Sequence, residues 1–158
     1  MGGLFESPNA PLAIFIAAWA MAAATSSCSS APKAPDARFE AQKKAAELSK
    51  LADGYMAKAQ YPQALRYYND ALKASQAIDD LEGVAAAHAS MGRTYLAAGE
   101  AEAAKGEYES SLEYARISGS PSARSSAKAG LGELAYASGD SSVALALFEE
   151  AVAHAGAG

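Results

Sequence analysis

Few residues in this chain have types and spacings that could make or break bonds. Ser125 and Lys128 form S-x-x-K, a spacing that on a helix sets a hydroxyl beside an amine able to take its proton, as a serine nucleophile needs. The companion motifs that such serine enzymes carry are missing, so the pair reads as part of an ordinary helix. The two histidines, His88 and His154, have no H-E-x-x-H, cysteine cluster or Gly-rich phosphate loop to work with. His88 therefore reads as a satisfied histidine at a helix interface rather than a base. Asp79, Asp80 and Glu82 gather carboxylates of a kind that suits calcium, but no further oxygen-rich segment accompanies them to fill a shell of roughly six to eight ligands. The chain is read as noncatalytic, with no cofactor and no metal. Its single cysteine, Cys28, has no internal partner for a disulfide, so packing alone must hold the fold.

The elements that position these residues announce themselves by a repeat. Ala52, Gly92 and Gly132 are forty positions apart, as are Ala64, Ala104 and Ala144, then Tyr68, Tyr108 and Phe148, then Ala71, Ser111 and Ala151. A constant period of this size implies stacked helical hairpins, each too small to bury a core alone. The composition agrees: 51% hydrophobic and 20% charged residues belong to a globular chain. Much of the apolar content is Ala, which loses no side-chain entropy in a helix. A net charge of −5 gives no basic face for nucleic acid. Nor is there a basic amphipathic helix that would lie on an anionic membrane.

Local signals set the expected helix bounds. The first helix spans 36–58 with Asp36 as its N-cap, and the second spans 62–78, opened by Pro62, whose missing N–H costs nothing in a first turn. After the crossing at 79–83 a third helix runs to Ala98, where Gly99 stops it, and a fourth covers 101–117. The turn Ser118-Gly119-Ser120-Pro121 leads to a fifth over 122–138, and Gly139-Asp140 to a sixth over 142–154.

In this register the segments Leu51-Ala52-x-x-Tyr55 with Ala64-x-x-x-Tyr68, Met91-Gly92-x-x-Tyr95 with Ala104-x-x-x-Tyr108, and Leu131-Gly132-x-x-Ala135 with Ala144-x-x-x-Phe148 resemble the tetratricopeptide repeat. The resemblance covers roughly 45–155, with repeats at about 45–78, 84–118 and 122–155. The family's usual Trp place holds Leu48, His88 and Lys128, and its terminal Pro place holds Gln76, Arg116 and Gly156. The resemblance implies an all-α, right-handed α-solenoid of three helix-turn-helix hairpins. Because the period exceeds the family's thirty-four residues, either the helices or the crossings must be longer. Small residues at 52, 92 and 132 let paired helices approach to about 8–10 Å, and the aromatics at 68, 108 and 148 fill the space between hairpins.

What the resemblance implies about function is a groove on the inner face of the first helix of each pair. Its rows are Ala46, Ala86 and Ser126; Ser49, Ala89 and Ala129; Asp53, Arg93 and Glu133; Met56, Leu96 and Tyr136. Small walls, charges alternating in sign and one apolar row suit an amphipathic helix or an extended apolar peptide. The Lys and Asn residues that clamp a carboxylate terminus in some relatives are missing. Two alternatives stay open: Met56, Leu96 and Tyr136 as core, and the charged row as a solvated ladder. The function expected is a protein-binding adaptor or scaffold, its partner unspecified. The rival is a self-associating module, a homodimer through the sixth helix, which leaves Leu147 and Phe148 short of cover.

Ahead of the repeats, residues 10–24 carry no charge, and at about 1.5 Å per residue they make only about 22 Å of helix, short of a roughly 30 Å hydrocarbon core. A secretory h-region fits better. With Ser26 and Ser27 before Cys28, the segment resembles the export signal of a bacterial lipoprotein, cut before the cysteine, whose sulfur receives the lipid. Thr25 stands where such signals carry Leu, and the n-region has Glu6 but no Lys or Arg. Cleavage after Ala22 or Ala24, giving a soluble periplasmic or secreted protein, is the alternative. The domains expected are a signal at 1–27, a Ser/Ala/Pro tether at 28–37 kept extended by Pro32 and Pro35, and the repeat domain at 38–158. Ser29 after the cysteine directs the implied lipoprotein to the outer membrane, facing the periplasm. Cys28→Ala is expected to shift the chain from the membrane to the soluble fraction or leave it unprocessed, checked by fractionation. An unchanged membrane fraction would identify the apolar run as an uncleaved anchor.

Overall fold

A computed structural model describes residues 36–156, so the signal segment, Cys28 and most of the tether fall outside the described part. Asp36 closes the tether by accepting a hydrogen bond from the Arg38 backbone N–H at 3.0 Å, which caps helix α1, Ala37–Met56. The helical array thus opens at Ala37, one residue before the expected boundary. There follow α2 (Tyr61–Gln76), α3 (Leu81–Ala97), α4 (Ala101–Ser118), α5 (Pro121–Ala137) and α6 (Ser141–Ala155). Every end lies within two residues of its expectation except the start of α3, which takes in Leu81, Glu82 and Gly83 of the expected crossing because Asp80 caps it. Pro62 and Pro121 sit in first turns, and Asp80 and Ser120 accept from the Gly83 and Ala123 N–H groups at 3.0 and 3.2 Å.

Of the two ways to lengthen the repeat, the helices carry the extra residues. They run from 15 to 20 residues, and the turns between them are short. Each turn contains one residue with positive φ: Ala59 at 54°, Asp79 at 53°, Gly99 at 82°, Gly119 at 73° and Gly139 at 89°. The left-handed conformation thus recurs every twenty residues, on three glycines and on two residues that bear the Cβ penalty.

The helices pair as α1·α2, α3·α4 and α5·α6, and the hairpins stack through α2·α3 and α4·α5, with α3 also touching α1 and α5. The expected all-α solenoid of three hairpins is what the chain forms. Ala52 and Ala64 are both fully buried in one cluster with Tyr68, and Ala104 is buried beside Tyr108. A Cβ on Gly92 would fall 2.8 Å from the Tyr108 ring, and one on Gly132 would fall 2.8 Å from Phe148. Gly130, outside the repeating pattern, lies nearer still to Tyr108. Tyr108 is therefore gripped between α3 and α5. Phe148 has only α5 to lean on among the described elements and stays 36% exposed.

These contacts separate glycines the packing requires from those it does not. Gly106, inside α4 with nothing near its missing side chain, should gain about 1 kcal/mol of stability as Gly106→Ala, the helix-propensity difference. Gly130→Ala should lose about 1–3 kcal/mol by overpacking the Tyr108 ring. Urea unfolding of both variants checks the opposite signs.

Candidate partner-binding groove

The inner face of the stack is made by α1, α3 and α5, whose helical repeat brings the expected rows to one side. Ala46, Ala86 and Ser126 are exposed along it, and Ser49, Ala89 and Ala129 are half-buried behind them. In the charged row, the Arg93 guanidinium is 3.7 Å from Asp53, with both side chains more than half exposed, so the pair adds under about 1 kcal/mol. The fourth row divides. Met56 and Leu96 are half-buried against the clusters around Tyr68 and Tyr108, whereas Tyr136 is 69% exposed.

Beneath the charged row lie the aromatics of α2, α4 and α6, and there the repeats differ chemically. In the first hairpin the Tyr68 hydroxyl donates to Asp53 Oδ1. Burial, reinforced by that carboxylate, pushes its pKa up to about 12. One period on, Arg93 occupies the place of Asp53, so the carboxylate that accepts from Tyr68 has no counterpart there. The Tyr108 hydroxyl accordingly stays buried without a partner. Its pKa is also raised to about 12, first by burial and then by the negative charge of Glu133, with Arg93 opposing. In the third hairpin Glu133 has the acceptor, but Phe148 has no hydroxyl to give.

The unmatched groups meet in a cleft of about 330 Å³ between α3 and α5. Ala86, Ala89, Ser126 and Ala129 form its small-residue walls, Arg93 and Glu133 stand on opposite sides, and Ser90, Tyr108 and Gly130 complete the lining. Six of the groove residues read from the sequence thus come together, while those of α1 and the fourth row lie apart from this cleft. Tyr108, Ser90 and Gly130 were not among them. The signal that could have found Tyr108 was the exchange of Asp53 for Arg93 across one period.

Other candidate chemistry resolves into structure. His88 Nδ1 lies 2.8 Å from Glu107 Oε2, and its ring stacks on Tyr114 at 5.5 Å, joining α3 to α4. Lys128 of the S-x-x-K pair is held 2.6 Å from Glu150, whose carboxyl it keeps below the usual range. In the acidic crossing, Asp80 caps α3, Glu82 accepts from the Ser120 hydroxyl at 2.8 Å, and Asp79 takes the left-handed turn position.

Compared with known families, residues 44–117 match the tetratricopeptide repeat. No curated protein matches significantly over its sequence. Among solved structures, the crystal structure of BtubC (BKLC) from P. vanneervenii is similar, with 27% identity and a TM-score of 0.58 over 74% of this chain. The match takes in 51% of that protein, so the chain spans about half its length.

The contrast between the first two aromatics is measurable. Tyr68→Phe should lower stability by about 1 kcal/mol, because it removes a hydrogen bond to a carboxylate that is itself largely in solvent. Tyr108→Phe should raise it by about 1 kcal/mol, because it deletes a buried hydroxyl that nothing satisfies. Denaturant midpoints at constant slope would check both.

Proposed function

We propose that this chain is a noncatalytic adaptor that grips a segment of another protein along the inner face of α1, α3 and α5. Tetratricopeptide repeats mediate protein–protein interaction, and the match at residues 44–117 supports that class of function. The observation that carries the assignment to this face is the cleft between α3 and α5, the place where unpaired polar groups and small walls coincide. Small side chains let a segment approach the helix backbones closely. Arg93 and Glu133 supply opposite charges to set its direction, and the exposed Tyr136 offers an apolar edge. In this proposal Cys28 carries the lipid and residues 29–35 reach from an outer membrane to the repeats, so the partner is another envelope protein.

A second reading has an observation of its own. Val143, Leu145 and Val152 of α6 are 50%, 60% and 72% exposed, and this outer helix packs on α5 alone among the described elements. A second copy of the chain could cover it.

Photocrosslinking separates the two. With a photoreactive residue in place of Ala129, in the cleft, the adaptor reading expects one heterologous protein to be captured. The same residue at Lys105 on the outer helix α4 should capture far less. Equal capture from both positions contradicts the groove assignment. A photoreactive residue at Leu145 that yields only the homodimer, with nothing from Ala129, favours self-association.

A further inference from the structure

The outer flank of α6 repeats, uncovered, a stripe that the stack covers elsewhere. Leu65, Tyr68 and Leu72 line one side of α2, and Val84, Ala87 and Met91 of α3 close over them, leaving Tyr68 and Leu72 buried. Two periods on, the same places on α6 hold Leu145, Phe148 and Val152, which are 60%, 36% and 72% exposed. Among the described elements only α5 packs on α6, so nothing takes the part that α3 plays for α2.

The two helices that do cover such a flank, α3 and α5, share a pattern. Counting from place i, they carry Gly83 and Ala123 at i, Ala87 and Ala127 at i+4, Ser90 and Gly130 at i+7, and Met91 and Leu131 at i+8. Contacts explain the small residues. A Cβ on Gly83 would lie 2.6 Å from Ser75 Oγ of α2, Ala123 packs with Ala115 of α4, and a Cβ on Gly130 would lie 2.2 Å from the Tyr108 ring. Small residues thus let the helices approach, and the large one at i+8 fills the stripe. Place i+5 is basic in both, as His88 and Lys128. His88 lines a cavity with Leu65, Asn69, Leu72 and Met91, and the counterpart of Asn69 on α6 is the exposed Glu149. Glu149 makes no ion pair among the described residues, whereas Glu150 is paired with Lys128.

In this nested geometry a second copy of the chain fits poorly. On α1 the places i, i+4 and i+7 are Lys43, Glu47 and Lys50, all exposed, and seating them on α6 would bury three charges. The sequence of α6 contains no such spacing of small residues. We propose that α6 receives an amphipathic helix of a partner protein, seated as α3 sits on α2, with small residues at i, i+4 and i+7, a basic residue at i+5 and a large apolar one at i+8. The small residue at i+7 meets Phe148, the apolar one covers Leu145 and Val152, and the base faces Glu149. This surface is separate from the groove, so failure of the groove reading leaves it intact.

The probe is a synthetic peptide with the sequence of residues 81–97, which carries the pattern, held helical by a side-chain lactam between positions 82 and 86 on its far face. Added to the full chain, it should shift the Val152 methyl signals saturably and leave the Ala129 signal in place. Gly83→Lys, Ala87→Glu and Ser90→Lys together in the peptide, which install the residues of α1, should abolish the shift. Val152→Asp in the chain should weaken binding roughly tenfold or more, and its exposure lets the variant fold. Equal binding by the charged peptide, a shift confined to Ala129, or no saturable shift would overturn the proposal. Light scattering that finds the full chain dimeric, with the dimer abolished by Val152→Asp, would overturn it in favour of a second copy.

Discussion

The distance between the inner helices and the aromatic rings of their outer partners governs the whole stack. Tyr108 occupies a slot that exists only because Gly92 and Gly130 have no side chains, and Phe148 uses Gly132 in the same way. Full burial of a ring of this size stabilises by up to about 3 kcal/mol, and the close approach lets neighbouring hairpins share it. With no disulfide available from one cysteine, stability comes from repeating this joint. Where the joint lacks a second neighbour among the described elements, at Phe148, the ring is left partly in solvent.

The same joint decides where polar groups go unmatched. A tyrosine buried between hairpins brings a hydroxyl to the base of the inner face, and the residue one row above must answer it. Asp53 does so for Tyr68, but Arg93 stands in its place one repeat on and the Tyr108 hydroxyl is left without a partner. Glu133, on the next inner helix, has acceptors with no hydroxyl below. A displacement of charge by one repeat thus turns a satisfied structural contact into a polar cleft without altering the backbone. In the adaptor proposal, this cleft recognises its partner by shape and hydrogen bonding.

Much of the fold was legible because its determinants are local or periodic. The rows at 52, 64 and 68 and their images named buried residues in advance, Phe148 apart, and caps such as Asp36 and prolines such as Pro62 located helix ends to within two residues. The half-period of the turns was harder to see. Gly99, Gly119 and Gly139 mark left-handed positions by type, whereas Ala59 and Asp79 hold the same geometry in exposed turns closed by backbone hydrogen bonds from Gln60 to Tyr55 and from Asp80 to Ser75. Gly130 escaped notice because its equivalents, Lys50 and Ser90, do not form a row of one type with it. The groove rows on α3 and α5 were legible from family register, but not the mixed burial of Met56, Leu96 and Tyr136, of which the first two pack against the clusters around Tyr68 and Tyr108. Tyr108 was assigned to packing alone, since periodicity records size and not whether a hydroxyl finds an acceptor.

The shared aromatic slot is open to direct observation by NMR of the folded chain. Through-space contacts should connect the Tyr108 ring protons with the α-protons of both Gly92 and Gly130, placing one side chain of α4 against α3 and α5 together. Contacts to Gly92 without any to Gly130, or a Tyr108 ring facing solvent, would mean that the hairpins do not nest in this way, and the cleft built on that nesting would not exist.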